Sequence, residues 1–160
     1  MKMKKSAWKS YVAWILGTEA VGALAGFLTR EGTELYKTMI QKPPLSPPAI
    51  VFPIVWTVLY ALMGFGAARI WLKPKSSART KAIGFYLAQL GVNFGWSLIF
   101  FNAQNFGLAF VWLGVLLALI VWMIAYFAKL DKAAAWLQLP YALWVTFAGY
   151  LNYGVWMLNR

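Results

Sequence analysis

Five apolar runs take up most of this chain, at residues 11–29, 49–71, 82–101, 106–128 and 133–158. As helices rising ~1.5 Å per residue, each is long enough to cross a hydrocarbon core of ~30 Å. Of the 160 residues, 62% are hydrophobic and 12% charged, where a water-soluble domain carries about 25% charged residues. A chain this short cannot hide so much apolar surface in a water-facing core. The expected fold is an all-α membrane protein, one domain over residues 1–160, built as a bundle of five transmembrane helices.

The net charge of +11 sits in the breaks between the runs. Such residues anchor and orient a membrane protein, so the lipid bilayer, and not nucleic acid, is the expected partner. One side would hold Lys2, Lys4, Lys5, Lys9, Arg69, Lys73, Lys75, Arg79, Lys81, Lys129 and Lys132; the other would hold Arg30, Lys37, Lys42 and Arg160. That asymmetry places the N-terminus in the cytoplasm and the C-terminus outside. The first run has no clear cleavage site and reads as a retained span. With no cysteine and no histidine, thiol chemistry and the usual zinc sites are excluded, and no metal site is expected.

The first span contains Gly22-Ala-Leu-Ala-Gly26, a spacing that suits close helix approach within the chain or between chains. Glu19 lies mid-span on the same face. It is either a protonated side chain bonded to a neighbouring helix or a functional group. Residues 30–48 form a long connection, expected to act as a lid. Within it, residues 33–40 could form a short helix capped by Thr33. Pro43, Pro44, Pro47 and Pro48 then forbid any continuing helix.

In the second span Pro53, Trp56, Tyr60 and Gly64 share a face. In the third, Gln89, Asn93, Trp96 and Phe100 share one, and Gly84, Ala88, Gly91 and Gly95 lie on another, the candidate contact between two copies. In the fifth, Pro140, a candidate kink, shares a face with Trp144, Phe147, Ala148 and Leu151. Of the ten tryptophans, Trp8, Trp71, Trp136 and Trp156 read as interface anchors. Trp56, Trp96 and Trp112 fall in the lid-side half and Trp144 near mid-depth. These four either pack the bundle or line an aromatic pocket beneath the lid, with Tyr60, Gln89, Asn93 and Asn152 as its polar groups.

Several spaced blocks resemble the tryptophan-rich sensory protein family, also called the translocator or peripheral benzodiazepine receptor family, and a bacterial member in particular. They are Lys42-Pro43-Pro44-Leu-Ser-Pro47-Pro48, then Phe52-Pro53-x-x-Trp56-x-x-Leu59-Tyr60-x-x-Met63-Gly64-x-Gly66. Asn93-x-x-Trp96-x-x-x-Phe100-Phe101 and Pro140-Tyr141-x-x-Trp144-x-x-Phe147-Ala148-x-x-Leu151-Asn152 complete the set. The resemblance implies a five-helix bundle, commonly a homodimer, in the bacterial plasma membrane. It implies that protoporphyrin IX-type tetrapyrroles, isoquinoline carboxamides and benzodiazepines bind under the first loop, with no cofactor required. Trp56, Tyr60, Asn93, Trp96, Trp144, Phe147, Ala148 and Leu151 would bind them, and Trp56 and Trp144 would serve light-dependent porphyrin breakdown. Leu45 replaces a tryptophan found in many members. The C-terminal segment fails the loose sterol pattern, because six residues separate Tyr153 from Arg160.

Two other functions fit the same chain. One is a proton-coupled or passive transporter of lipophilic small molecules using Glu19, for which Glu19→Gln would remove coupling and leave porphyrin binding. The other is a stress-signalling scaffold without turnover.

Overall fold

The computed structural model describes residues 2–160, with side chains from Ser6 onward. The side chains of Lys2, Lys4 and Lys5, assigned above to the membrane edge, lie outside the described residues. The chain folds into α1 (Lys2–Leu28), α2 (Arg30–Met39), α3 (Val51–Trp71), α4 (Ser77–Ser97), α5 (Phe106–Leu130), α6 (Lys132–Trp136) and α7 (Leu139–Leu158). Among the described residues there is no strand.

Among the described residues, four segments are long and apolar enough to cross a membrane: Ser6–Leu28, Val51–Trp71, Ser77–Asn102 and Phe106–Leu130. α7 has 20 residues but is not among the four. It carries Tyr141 and Asn152, whose polar atoms bond inward to other helices. Around the bundle the outward positions are apolar, among them Leu16, Val58, Leu87, Val111, Trp122 and Leu143. A surface of that kind matches lipid as the surrounding solvent.

Local chemistry sets the helix ends. Ser76, Asn105 and Asp131 each accept a backbone N–H from the first turn of α4, α5 and α6, at 3.1, 3.1 and 3.2 Å, which is ordinary N-capping. The short helix in the lid starts earlier than expected, at Arg30. Thr33 is therefore interior, and its N–H donates to the Thr29 carbonyl at 2.8 Å. Pro140 does not kink a helix; it falls in the first turn of α7, where a missing N–H costs nothing. After Ser97 the third span continues as a π-helical turn, Leu98–Asn102, closed by Ala103 N–H to the Leu98 carbonyl at 3.0 Å.

α1 packs along α3, α4 along α5, and α5 along α7, with α1 and α3 both touching α4. The α3 backbone approaches that of α1 closely at Gly64. A Cβ there would lie 2.6 Å from the Ile15 Cα, so no side chain fits. Of the glycine pair of α1, one member also serves this packing: a Cβ at Gly22 would collide with the Tyr60 ring of α3. Gly26 has no neighbour at its Cβ position. Between α4 and α7, Tyr141 Oη donates to Gln89 Oε1 at 2.7 Å and accepts from Asn93 Nδ2 at 2.8 Å. Asn152 accepts from Trp96 Nε1 at 3.0 Å and donates to the Phe106 carbonyl at 2.9 Å, joining α4, α7 and α5. These pairings satisfy most of the polar groups set in the apolar core, although Gln89 Nε2 is buried without a partner.

Candidate functional site

A cavity of about 580 Å³ lies between α1, α3, α4 and α7, beneath α2 and the proline segment. Its volume falls in the ~300–1,000 Å³ range usual for small-molecule sites. The wall is aromatic: Phe52, Trp56, Tyr60, Trp96, Phe100, Phe101 and Trp144 all contribute. Trp56 stacks on Tyr60 with ring centroids 5.4 Å apart, and Trp96 on Phe100 at 5.0 Å. The π-helical turn brings the adjacent Phe100 and Phe101 to the same cavity.

The lid is docked on α7. Pro43 is buried and fits the space left by Gly154, where a Cβ would come 2.5 Å from the proline ring. Tyr150 Oη donates to the Pro44 carbonyl at 2.7 Å. Asn159 accepts the Gln41 N–H at 3.0 Å and donates to the Gln41 carbonyl at 2.8 Å. Pro47 lines the cavity, and the Pro48 carbonyl accepts the Val51 N–H at 3.0 Å, starting α3. Leu45 is 81% exposed, is not a lining residue, and has φ of 69°.

Of the residues assigned to ligand binding, Trp56, Tyr60, Trp96, Trp144, Ala148 and Leu151 line the cavity. Asn93 and Phe147 do not. Asn93 is committed to Tyr141 in the buried network, and Phe147 lies between Trp144 and Tyr150. Of the polar candidates, Tyr60 and Asn152 reach the cavity, while Gln89 is buried away from it. Trp112 is an internal strut whose Nε1 donates to the Val92 carbonyl at 2.7 Å. Trp156 is half-buried against Gly107 and Phe110, unlike the exposed Trp8, Trp71 and Trp136. Gly84, Ala88 and Gly91 are exposed on α4, whereas Gly95 faces Trp112, 3.0 Å from where its Cβ would be.

Sequence reasoning left several wall residues unassigned. Arg30, Lys37 and Lys42 line the cavity together with Glu34 and Tyr36, although their charges read only as orientation signals. Lys37 pairs with Glu34 at 3.1 Å. Lys42 lies over the Tyr36 ring at 4.8 Å, and its ammonium donates to the Ile40 and Lys37 carbonyls. Glu19 also lines this cavity. It therefore cannot serve as a transport residue separate from the aromatic pocket, and Glu19→Gln does not discriminate between those two functions.

A helical membrane protein with an aromatic cavity beneath a proline-stiffened loop is the class that this architecture defines. Residues 14–157 match the model of the TspO/MBR family, and the chain belongs to that family. It is 35% identical to a tryptophan-rich protein TspO of Chlorobaculum tepidum, over 88% of this chain and 89% of that one. It is 34% identical to the translocator protein of Bos taurus, over 92% of each chain. A tryptophan-rich protein TspO of Archaeoglobus fulgidus is 35% identical over 92% of this chain and 95% of its own.

Proposed function

We propose that the protein is a membrane receptor that binds protoporphyrin IX-type tetrapyrroles in the cavity under the lid. Isoquinoline carboxamide and benzodiazepine-like molecules would occupy the same space. The observation that carries this reading is the wall itself. Flat indole, phenol and phenyl faces surround a volume of about 580 Å³, and flat aromatic ligands bind by stacking on such faces. Arg30 and Lys42 at the lid offer cations to the carboxylates that such a ring carries. In this reading α7 is the fifth span. Its 20 residues reach ~30 Å as a helix, and it packs on α5 beside the other spans.

Trp56 and Trp144 both line the cavity, on α3 and α7, and indoles in contact with a bound ring can act as electron donors. Under light and dioxygen an excited porphyrin generates reactive oxygen species, and ring loss would proceed beside these two side chains. The test is an absorbance and fluorescence titration of the purified protein with protoporphyrin IX, in the dark and then illuminated. Saturable binding followed by light-dependent loss of the porphyrin bands is expected. Trp56→Phe and Trp144→Phe should keep most of the binding and slow the loss. Ring loss at the wild-type rate in both variants would remove the indoles from the chemistry, and the absence of saturable binding would refute the receptor reading.

A further inference from the structure

Glu19 is a carboxylate placed mid-span on α1 with its side chain in the cavity wall. Its Oε1 is buried, and among the described residues no donor reaches it. The ion pairs of the described residues join Lys37 to Glu34 and Arg69 and Lys73 to Asp131, and none involves Glu19. An ionisable group inside a membrane span is costly unless a counter-charge or a donor meets it. Among the described residues, neither a bonded donor nor a cation reaches Oε1 from the neighbouring helices. α3 presents Tyr60, α4 presents Tyr86, which bonds Thr18, and the cationic side chains lie at the lid. Glu19 as a whole is half-buried and lines the cavity, where Trp56 and Tyr60 offer ring faces.

We infer that Glu19 and the Trp56–Tyr60 ring pair form a binding site for a flat, lipophilic cation. The positive group of the ligand would meet the Glu19 carboxylate where it lines the cavity, and its ring system would lie on the aromatic wall. A carboxylate beside aromatic faces provides both parts of cation recognition, charge pairing and cation–π attraction. The cations at the lid do not oppose it strongly. Arg30 opens α2, beyond the end of α1, where its guanidinium donates to the Phe27 carbonyl at 2.7 Å and lies over the Phe27 ring. Lys37 is paired with Glu34 at 3.1 Å, and the Lys42 ammonium is turned to the Ile40 and Lys37 carbonyls. This site goes beyond tetrapyrrole recognition and does not depend on it.

The test compares two probes of similar shape on the full chain in detergent micelles. Ethidium carries a fixed positive charge on a phenanthridinium ring, and phenanthridine is its neutral counterpart at pH 7. Wild type should bind ethidium saturably, one per chain, and in preference to phenanthridine. Glu19→Gln should weaken ethidium about tenfold, the usual scale for losing a charge-assisted contact, and should reduce the preference for the cation correspondingly. Glu19→Asp should keep part of that preference. Equal ethidium affinity in wild type and Glu19→Gln, or no saturable ethidium binding, overturns the inference. Parallel loss of both probes in Glu19→Gln and Glu19→Asp, together with a lower melting temperature, overturns it as well, because Glu19 would then be structural. Protoporphyrin IX binding to wild type, measured alongside, separates failure of this inference from failure of the receptor reading.

Discussion

Asp131 does two jobs at one end of the bundle. It caps α6 through the Ala134 N–H at 3.2 Å, and it pairs with Arg69 at 2.9 Å and Lys73 at 3.5 Å. Its side chain is 7% exposed, and those of Arg69 and Lys73 are 34% and 38% exposed, so the pairing is partly screened by solvent. Burial by itself would raise the carboxyl pKa. The Arg69 and Ala134 hydrogen bonds, with the charges of Arg69 and Lys73, outweigh burial and hold it below the ordinary carboxylate value. A depressed folded pKa gives stability that is complete above the unfolded value of about 3.9 and is lost as pH falls through the folded value. Asp131→Ala should cost about 2 kcal/mol, combining a lost cap and a screened ion pair. Asp131→Asn keeps a capping oxygen and should cost less, and it should flatten the acid limb of melting temperature against pH. An acid limb identical to that of wild type would show that the pairing does not contribute.

At the level of elements, the roof of the cavity depends on one small residue of α7. Pro43 occupies the space beside Gly154, and a proline ring cannot rotate away from an added methyl group. Gly154→Ala should lift the lid, since overpacking of this kind costs ~1–3 kcal/mol. The first sign should be faster hydrogen exchange at the Gln41 amide, which donates to Asn159, by about tenfold. Release of bound protoporphyrin IX should quicken with it. Gly149→Ala is the control, because a Cβ there meets only Leu113 at an ordinary 3.8 Å. Unchanged Gln41 exchange in Gly154→Ala would mean that the lid is held by its hydrogen bonds alone.

Across the whole molecule, charge is distributed by end. Arg69, Lys73 and Asp131 meet where α3 and α5 finish and α6 begins, and Arg79 stacks over Trp71 at 4.3 Å nearby. Lys129 lies over Tyr126 at 4.7 Å, near the end of α5. The opposite end carries Arg30, Lys37 and Lys42 at the lid. Positive charge favours the cytoplasmic side, so the lid and the C-terminus should face outward. An alkaline phosphatase fusion after Arg160 should therefore be active and a fluorescent protein fusion dark; the reverse result would invert the bundle and put the cavity mouth in the cytoplasm.

The sequence by itself determined most of the long helices and the prolines that close the connection over residues 30–48, but α1 starts at Lys2, nine residues before the expected span, and the expected fifth span is broken into α6 and α7. What it determined depends on local quantities: apolar length, missing backbone donors and capping side chains. It also marked Trp56, Tyr60, Trp96, Trp144, Ala148 and Leu151, because each lies on a helix face that periodicity makes visible. Only the tertiary structure decided which part of each face meets the cavity. Successive residues of a helix point about 100° apart, so Phe147 turns away where its neighbour Ala148 faces in. Asn93 and Asn152 both looked like polar lining residues, but the position of Tyr141 drew Asn93 into the buried network. Glu19 gave the clearest case. Its chain position said that a carboxylate lies within a span, on the face of Gly22 and Gly26. The packing of α1 on α3 at Gly64, which brings together two segments 49 residues apart, determined that it faces the aromatic cavity with one oxygen free.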